Sequence, residues 1–427
     1  LGAARYDSAD RESGFKRRRV YDLCLSCSRV YRYGTSISFW HLLSTTNAMK
    51  RCLWVTLHFP PEIGGVQEYT FQLLRRLPKE GVVVLCPPSK DSRIWDSAQS
   101  FSVVRRNFFT RLPIWPRWVV LFWHVFFTAI TKRIDIFHAG EVLPTGAVVM
   151  VVARLLRRPY FLTTHGMDIL LPQQFLRKQW LAKKVYRQAC AITVLSQYAK
   201  HQVQAQGVDP GKIVVLSPST DLRSRPQDAE MAASLRARWR LENKRIVFSL
   251  SRLVRRKGHD HLIRAFARIA EKASDVQLVI GGTGPDASYL EMLAHQHHLS
   301  DRITFLGRVS DEEKRGWFQL CTFFALVPRL ENGADVEGFG IVYWEAAAFE
   351  KAVLASTSGG VPEAVTDHET GLLANPEDIE TIAEKMLTLL TDAELRAKLG
   401  SAARKNHSFQ SWDHQAEILQ HLYQSHG

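Results

Sequence analysis

From Met49 onward, apolar runs of only four to six residues alternate with amphipathic stretches long enough for helices, and this alternation constrains the fold more than any other feature of the chain. Runs that short, apolar at consecutive positions, suit strands covered by helices on both faces, so the pattern predicts stacked βα units with parallel sheets. The strands expected in the first half span 52–57, 82–86, 134–138, 160–164, 191–195 and 213–216, with helices between them, for example over 67–77 and 197–206. The polar run Ser217, Pro218, Ser219, Thr220, Asp221 then breaks the alternation and leads into a charged helix near 230–240, which reads as an interdomain linker. A second series follows, with strands over 245–250, 276–280, 303–306, 323–327 and 352–355. The expected division is an extension over 1–48, an α/β domain over 49–217, a second over 218–405, and a closing helix over 406–427 that packs back on the first domain.

At 427 residues, 46% hydrophobic and 23% charged, the chain has the composition of a soluble globular protein with room for two cores. Its six cysteines, Cys24, Cys27, Cys52, Cys86, Cys190 and Cys321, have no framework spacing. Cys24 and Cys27 form a lone CxxC without a second pair, so reduced thiols are expected rather than disulfides or a metal site. The longest apolar run, 118–130, is interrupted by His124 and falls short of the roughly 18 to 20 residues that a bilayer span requires. Charge is spread unevenly: Lys+Arg against Asp+Glu is 8 to 4 over 1–48, 23 to 9 over 49–217, and 25 to 29 over 218–427. Such an imbalance bears on partners rather than on architecture. Residues 1–48 lack an apolar period and carry Lys16, Arg17, Arg18 and Arg19. The expected reading is sequence upstream of a natural start at Met49 or a disordered tail, and the alternative is a basic arm for anionic lipid or nucleic acid. No aromatic-basic pattern of a known nucleic-acid reader is evident, so nucleic acid is not an expected partner of the chain as a whole.

In open parallel sheets, ligands bind beyond the carboxyl ends of the strands, which directs attention to the residues that follow each run. Gly64 and Gly65 follow the first strand and let the backbone approach a phosphate or sugar, although a plain tight turn explains them equally well. His165, Gly166, Met167 and Asp168 follow the run 160–164; the imidazole of His165 either meets a sugar hydroxyl or serves the next helix, and both readings are open. In the second half, Arg252 and Lys257 lie between a strand and a helix and can converge on a diphosphate, one as a planar fork and one as a point charge. Gly281, Gly282, Thr283 and Gly284 end the next strand without the acidic partner of a dinucleotide fingerprint. The densest signal is the run from Glu337 to Glu345, two carboxylates eight residues apart with Gly338 and Gly340 between them. It reads as a loop turning into a helix, whose free N–H groups suit a phosphate while the carboxylates accept hydrogen bonds from sugar hydroxyls.

Taken in order, these motifs, together with Ser358, Gly359, Gly360, Val361, Pro362 and Glu363, resemble glycosyltransferase family 4 from about Met49 to the C-terminus. The insertion from Arg329 to Glu337 is similar to the branch that contains the phosphatidylinositol mannosyltransferases. The resemblance implies an α/β protein of GT-B fold, two Rossmann-like domains whose parallel sheets face each other across a cleft. It also implies a catalytic set of His165, Arg252, Lys257 and Glu337, in which the cations neutralise the donor diphosphate while Glu337 and His165 touch the transferred sugar. Donor binding would fall to Gly64, Gly65, Gly282, Arg308, Val309, Phe339, Gly340, Ile341 and Glu345, with Glu345 on the ribose and Arg308 and Val309 beside the nucleobase. Asp168 stands where relatives vary, and its role is open.

The implied chemistry is retaining hexosyl transfer from a nucleotide diphosphate sugar, GDP-mannose first and UDP-hexoses next, to a glycan or lipid-linked acceptor. No D-x-D triplet occurs, so no metal is expected and no cofactor beyond the sugar nucleotide co-substrate. The stretch from Arg105 to Trp118 alternates cations with large rings, and Lys132 and Arg133 follow, which points to an anionic membrane surface met from the cytoplasmic side. The alternative is a buried helix over 118–130 beside a solvated basic face. A sugar-nucleotide epimerase and a non-catalytic sugar-nucleotide-binding protein of the same architecture are the competing functions.

Overall fold

The structure, a computed structural model, describes residues 50–109, 118–408 and 411–426, with the side chains at 407 and 408 left aside. The extension, with Cys24, Cys27 and the basic run at 16–19, lies outside the described residues, as does most of the stretch from Arg105 to Trp118. Two sheets, parallel throughout, organise the rest. The first contains β1 (Cys52–Val55), β2 (Val82–Cys86), β3 (Ser102–Arg105), β4 (Ile136–Ala139), β5 (Tyr160–Thr164), β6 (Ile192–Val194) and β7 (Ile213–Val215), in the order β3-β2-β1-β4-β5-β6-β7. The second contains β8 (Arg245–Leu250), β9 (Val276–Gly281), β10 (Ile303–Gly307), β11 (Phe323–Ala325), β12 (Val353–Ser356) and β13 (Leu372–Ala374), in the order β10-β9-β8-β11-β12-β13. Eleven of the thirteen strands coincide with expected runs. The exceptions, β3 and β13, are edge strands. β3 is half-buried with a polar start and so lacks the continuous apolar signature of a covered strand, whereas β13 is apolar and buried but only three residues long.

Helices cover both faces of each sheet, which is why the central strands β1, β4, β5 and β11 are buried at every position. One face of the first sheet is packed by Leu121 and Val125 of the helix Val119–Thr131, Val148 and Val152 of Ala147–Leu155, and Val185 of Leu176–Gln188. The other face receives Tyr69 and Leu73 from the helix Gly65–Leu74 and Trp412, Leu419 and Tyr423 from Trp412–His426, the helix that closes the chain. The described cysteines are all free thiols. In the run beginning at Arg105, expected to meet a membrane, Arg105 instead pairs with Asp96 at 2.8 Å and Phe108 is 1% exposed, so these two residues serve the interior. Val119–Thr131 is neither wholly buried nor wholly solvated: Leu121 and Val125 face the core while Trp123, Phe127 and Ile130 are exposed.

The closing helix is tied to the first sheet by a polar contact as well as by packing. Tyr423 Oη lies 2.6 Å from His138 Nδ1, and the other ring nitrogen of His138 lies 2.7 Å from Thr163 Oγ1. The indole of Trp54 stacks on the same imidazole at 3.7 Å. His138 is fully buried, and desolvation holds it well below its ordinary pKa, so the ring is neutral and needs both partners. Tyr423→Phe is expected to orphan Nδ1 and cost about 1–3 kcal/mol in urea unfolding. An unchanged midpoint would show that the hydroxyl does not secure the helix.

Candidate active site

In each sheet the winding reverses once, between β1 and β4 and between β8 and β11, and the loops leaving those strands open the crevice that such sheets use for ligands. In the second domain this brings together residues 80 positions apart. The loop after β8 carries Arg252, Arg256 and Lys257, and the loop after β11 carries Glu337. Lys257 Nζ donates to Glu337 Oε2, Arg256 Nη1 reaches the same oxygen at 3.1 Å, and Arg256 also pairs with Asp335 at 2.9 Å. Burial pushes the Glu337 carboxyl up, but Lys257 and Arg256 outweigh it and hold Glu337 below its ordinary value, ionised between two cations. Arg252 differs from both. It is exposed, and its guanidinium makes no hydrogen bond or ion pair with a described residue. Burial lowers the imidazole pKa of His58, in the first domain, and Arg252 lowers it further; the same guanidinium pulls down on Asp335, whose carboxyl burial raises. Its field thus spans the crevice.

The run from Glu337 to Glu345 forms the expected loop and helix start. Gly340 sits at φ 92°, where an L side chain is strained, and a Cβ there would overlap the Tyr343 ring. The helix Ile341–Ala347 is two turns long, so what it presents to the crevice is unpaired amide N–H groups more than a large macrodipole. Phe339 is buried with its ring edge against Trp344, and Ile341 packs against the core of the first domain. Glu345 pairs with Lys314 at 2.8 Å; burial pulls the Lys314 pKa down, but Glu345 and Asp311 outweigh it and leave it above the ordinary value. Glu68, on the first-domain helix Gly65–Leu74, is raised by partial desolvation and by Glu345 in turn.

Gly64 caps that helix, and the space beside Gly65 is open. Gly282, at φ 128°, has the Ser251 carbonyl where a Cβ would stand, so this glycine lets two strand-end loops nest. Arg308 is exposed beyond β10, and Val309 packs against Gly281. His165 follows β5. Burial pulls its pKa down to about 4, the Gly140 backbone acting in the opposite direction, and neither ring nitrogen has a hydrogen bond of normal geometry. Its ring meets Tyr69 edge-on at 5.7 Å. Asp168, left open by the sequence, accepts from the His165 and Gly166 amides at 2.7 and 3.0 Å and so fixes the loop that carries the imidazole.

The two domains meet at this loop. A Cβ on Gly338 would stand 2.6 Å from the His165 carbonyl oxygen, and one on Gly166 would stand 3.7 Å from the Gly338 Cα. Glu363 of the second domain accepts from the Gln197 and Tyr198 amides, at 2.5 and 2.7 Å, and so caps the first-domain helix Gln197–Gln204.

Two family models cover most of the chain: glycosyltransferase family 4 over residues 63–224 and glycosyl transferases group 1 over 233–406. A GDP-mannose-dependent alpha-(1-6)-phosphatidylinositol monomannoside mannosyltransferase of Mycobacterium tuberculosis is 32% identical over 84% of this chain and 93% of its own length. The chain belongs to glycosyltransferase family 4. A GDP-mannose-dependent monoacylated alpha-(1-6)-phosphatidylinositol monomannoside mannosyltransferase of Corynebacterium glutamicum is 30% identical over 89% of this chain and 99% of its own length. Among solved structures, Anabaena HepE in complex with UDP and glucose superposes with a TM-score of 0.75 at 22% identity, covering 88% of this chain and all of that one. That likeness establishes the GT-B architecture of this glycosyltransferase.

Sequence reasoning missed Arg256, Lys314 and Glu363. The first hid in the cationic run from Arg255 to Lys257, and the other two depend on partners 31 and 166 positions away. It also missed the buried carboxyl of Glu141, which accepts from Thr56 Oγ1 at 2.6 Å and the Leu57 amide at 3.0 Å. Burial raises Glu141 and Asp168 to about 7, so their stabilising protonated forms are lost as pH rises through 7. Three buried imidazoles act oppositely: His138 is well below 6.5, His165 is near 4 and His259 is at about 3, so stability present above 6.5 is lost as pH falls. Urea unfolding is therefore expected to show greatest stability at about pH 6 to 7, and Asp168→Asn, which keeps the acceptor oxygen, should flatten the alkaline limb. A variant with an unaltered alkaline slope would remove Asp168 from the account.

Proposed function

We propose that this glycosyltransferase is a retaining, metal-independent mannosyltransferase that takes mannose from GDP-mannose to a glycolipid of the phosphatidylinositol mannoside class at the cytoplasmic face of a membrane. The observation that carries the reading is the match, over nearly the whole length of both partners, to enzymes named for that donor and acceptor. The geometry supports it. Among the described residues the Arg252 guanidinium has no partner, while Lys257 and Arg256 are held by Glu337. A donor would exchange those contacts, its diphosphate drawing on the three cations and its sugar hydroxyls satisfying Glu337.

In the reaction, the bond between the anomeric carbon and the β-phosphate oxygen breaks with its electron pair going to the phosphate. The acceptor hydroxyl bonds to the same face of that carbon and gives its proton to the departing phosphate. Arg252, Lys257 and the amides at Gly340 and Ile341 stabilise the growing negative charge. Glu337, flanked by two cations, is a sugar-recognition group and not a nucleophile. A neutral His165 can donate from one nitrogen and accept at the other, which suits a sugar hydroxyl. Gly65 leaves backbone open to the donor, Gly64 and Gly282 shape the loops beside it, Phe339 sets the loop from the core, Glu345 with Lys314 faces the ribose, and Arg308 and Val309 border the base. The cations also supply the charge that a divalent ion would bring, so EDTA is expected to leave transfer unchanged.

GDP-mannose at a hundred times its dissociation constant should stabilise the protein by about 2.7 kcal/mol, with UDP-glucose and ADP-glucose giving smaller shifts at the same concentration. Arg252→Ala is expected to lose most of that shift at little cost in stability, having no protein partner to abandon. Lys257→Ala should lose both, because Glu337 keeps only Arg256. Equal shifts from all three nucleotides, or a full shift in Arg252→Ala, would overturn the donor assignment. Donor altered in the absence of acceptor would mark an epimerase instead.

For the membrane, the support is the exposed face of Val119–Thr131, where Trp123 and Phe127 stack at 5.7 Å beside Lys132 and Arg133. No helix among the described residues is long and apolar enough to cross a bilayer.

A further inference from the structure

The first domain carries a second apolar and cationic strip that neither the cleft nor the core uses. It starts two residues beyond His165. Met167, Leu171, Phe175, Leu176 and Trp180 are all exposed, Leu176 at 85% and Trp180 at 62%. They lie on consecutive helical segments, Met167–Leu170, Leu171–Gln174 and Leu176–Gln188, that pack in series. Cations sit on its rings: Lys178 Nζ is 4.3 Å from the Phe175 centroid, and Lys184 Nζ is 4.5 Å from that of Trp180. Between Glu141 and Asp209 the sequence holds nine lysines and arginines and one acidic residue, Asp168, whose carboxyl is turned onto its own loop.

We infer that this strip seats on an anionic lipid bilayer, with Leu176 and Trp180 at the boundary between headgroups and acyl chains and the lysines on headgroup phosphates. The inference rests on the lipid-acceptor reading and extends it to a named surface. Three observations select this occupant. The strip is continuous with the aromatic face of Val119–Thr131, because Ala147–Leu155 packs between the two and exposes Val151 and Leu155. A second copy of the chain would bring cations onto cations. Rings and leucines between lysines are the composition of an interfacial helix. Docked this way, the loop of His165 lies at the membrane surface, where the head of a lipid acceptor emerges.

The test is sedimentation of the full chain with vesicles of phosphatidylcholine alone and of phosphatidylcholine with phosphatidylglycerol. The wild type is expected to partition onto the anionic vesicles only, and less at high salt. Leu176→Ser with Trp180→Ser, and separately Lys178→Gln with Lys184→Gln, should each weaken partitioning by about tenfold. Both should retain the full thermal shift with GDP-mannose, which separates failure of the strip from failure of the donor reading; the lysine pair changes only solvent-facing heads and so keeps the fold. Unchanged partitioning in both variants would overturn the inference, as would a wild type that ignores anionic vesicles. Self-association in lipid-free buffer that the leucine-tryptophan variant abolishes would assign the strip to a second copy instead.

Discussion

A carboxylate that stays ionised when withdrawn from water needs compensating charge, and Glu337 has two cations. That requirement organises the crevice of the second domain. Removing one ion from water costs several kcal/mol even after relaxation, so Glu337 is tolerable in its crevice only because Lys257 and Arg256 converge on it. Both cations come from a single short loop after β8, and the carboxylate comes from the loop after β11, the neighbouring strand. The reversal of winding at that position is thus what makes the cluster possible. The same arrangement lets the buried charges of this crevice satisfy one another.

The second consequence lies at the joint between the domains. Gly338 follows Glu337 directly, and its lack of a side chain lets the loop lie against the His165 carbonyl. Gly360 repeats the device, since a Cβ there would overlap the Gly338 carbonyl. Glu363, three residues on, reaches across to cap Gln197–Gln204. Arg76 completes the joint from the hinge side, pairing with Asp221 of the interdomain segment at 2.6 Å and with Asp413 of the closing helix at 2.8 Å. These contacts are small, polar and partly exposed. Such contacts permit two domains to part and close again, unlike the wide apolar interface of an obligate pair.

This balance explains what the sequence could and could not reveal. Covered strands write themselves as short apolar runs, so the two parallel sheets were legible almost down to individual strands, while β3 escaped because a half-buried edge strand with a polar start carries no such signature. Glycines and charges at strand ends were legible for a similar reason, since a glycine such as Gly340 is dictated by its own backbone angle. Pairings were not. Nothing local marks Arg256 rather than Arg255 as the partner of Glu337, or ties Lys314 to Glu345; the three-dimensional register of β8, β10 and β11 decides both. Phe108 and Arg105 misled in the opposite sense, because a ring beside a cation looks the same in sequence whether it faces lipid or fills an interior.

The eight-residue spacing of Glu337 and Glu345 follows from the same geometry. Glu337 precedes the helix and must point down into the cations of β8, whereas Glu345 stands on the helix and must point toward Lys314. Between them the chain has to reverse direction at Gly340, bury Phe339 and begin the helix at Ile341. Each residue added within the helix would rotate Glu345 by about 100° and carry it off Lys314. Each one removed before Gly340 would draw Glu337 out of its crevice. The two carboxylates are therefore fixed to opposite ends of one turn, each by its own cations, and the N-terminal amides of the helix fall between them.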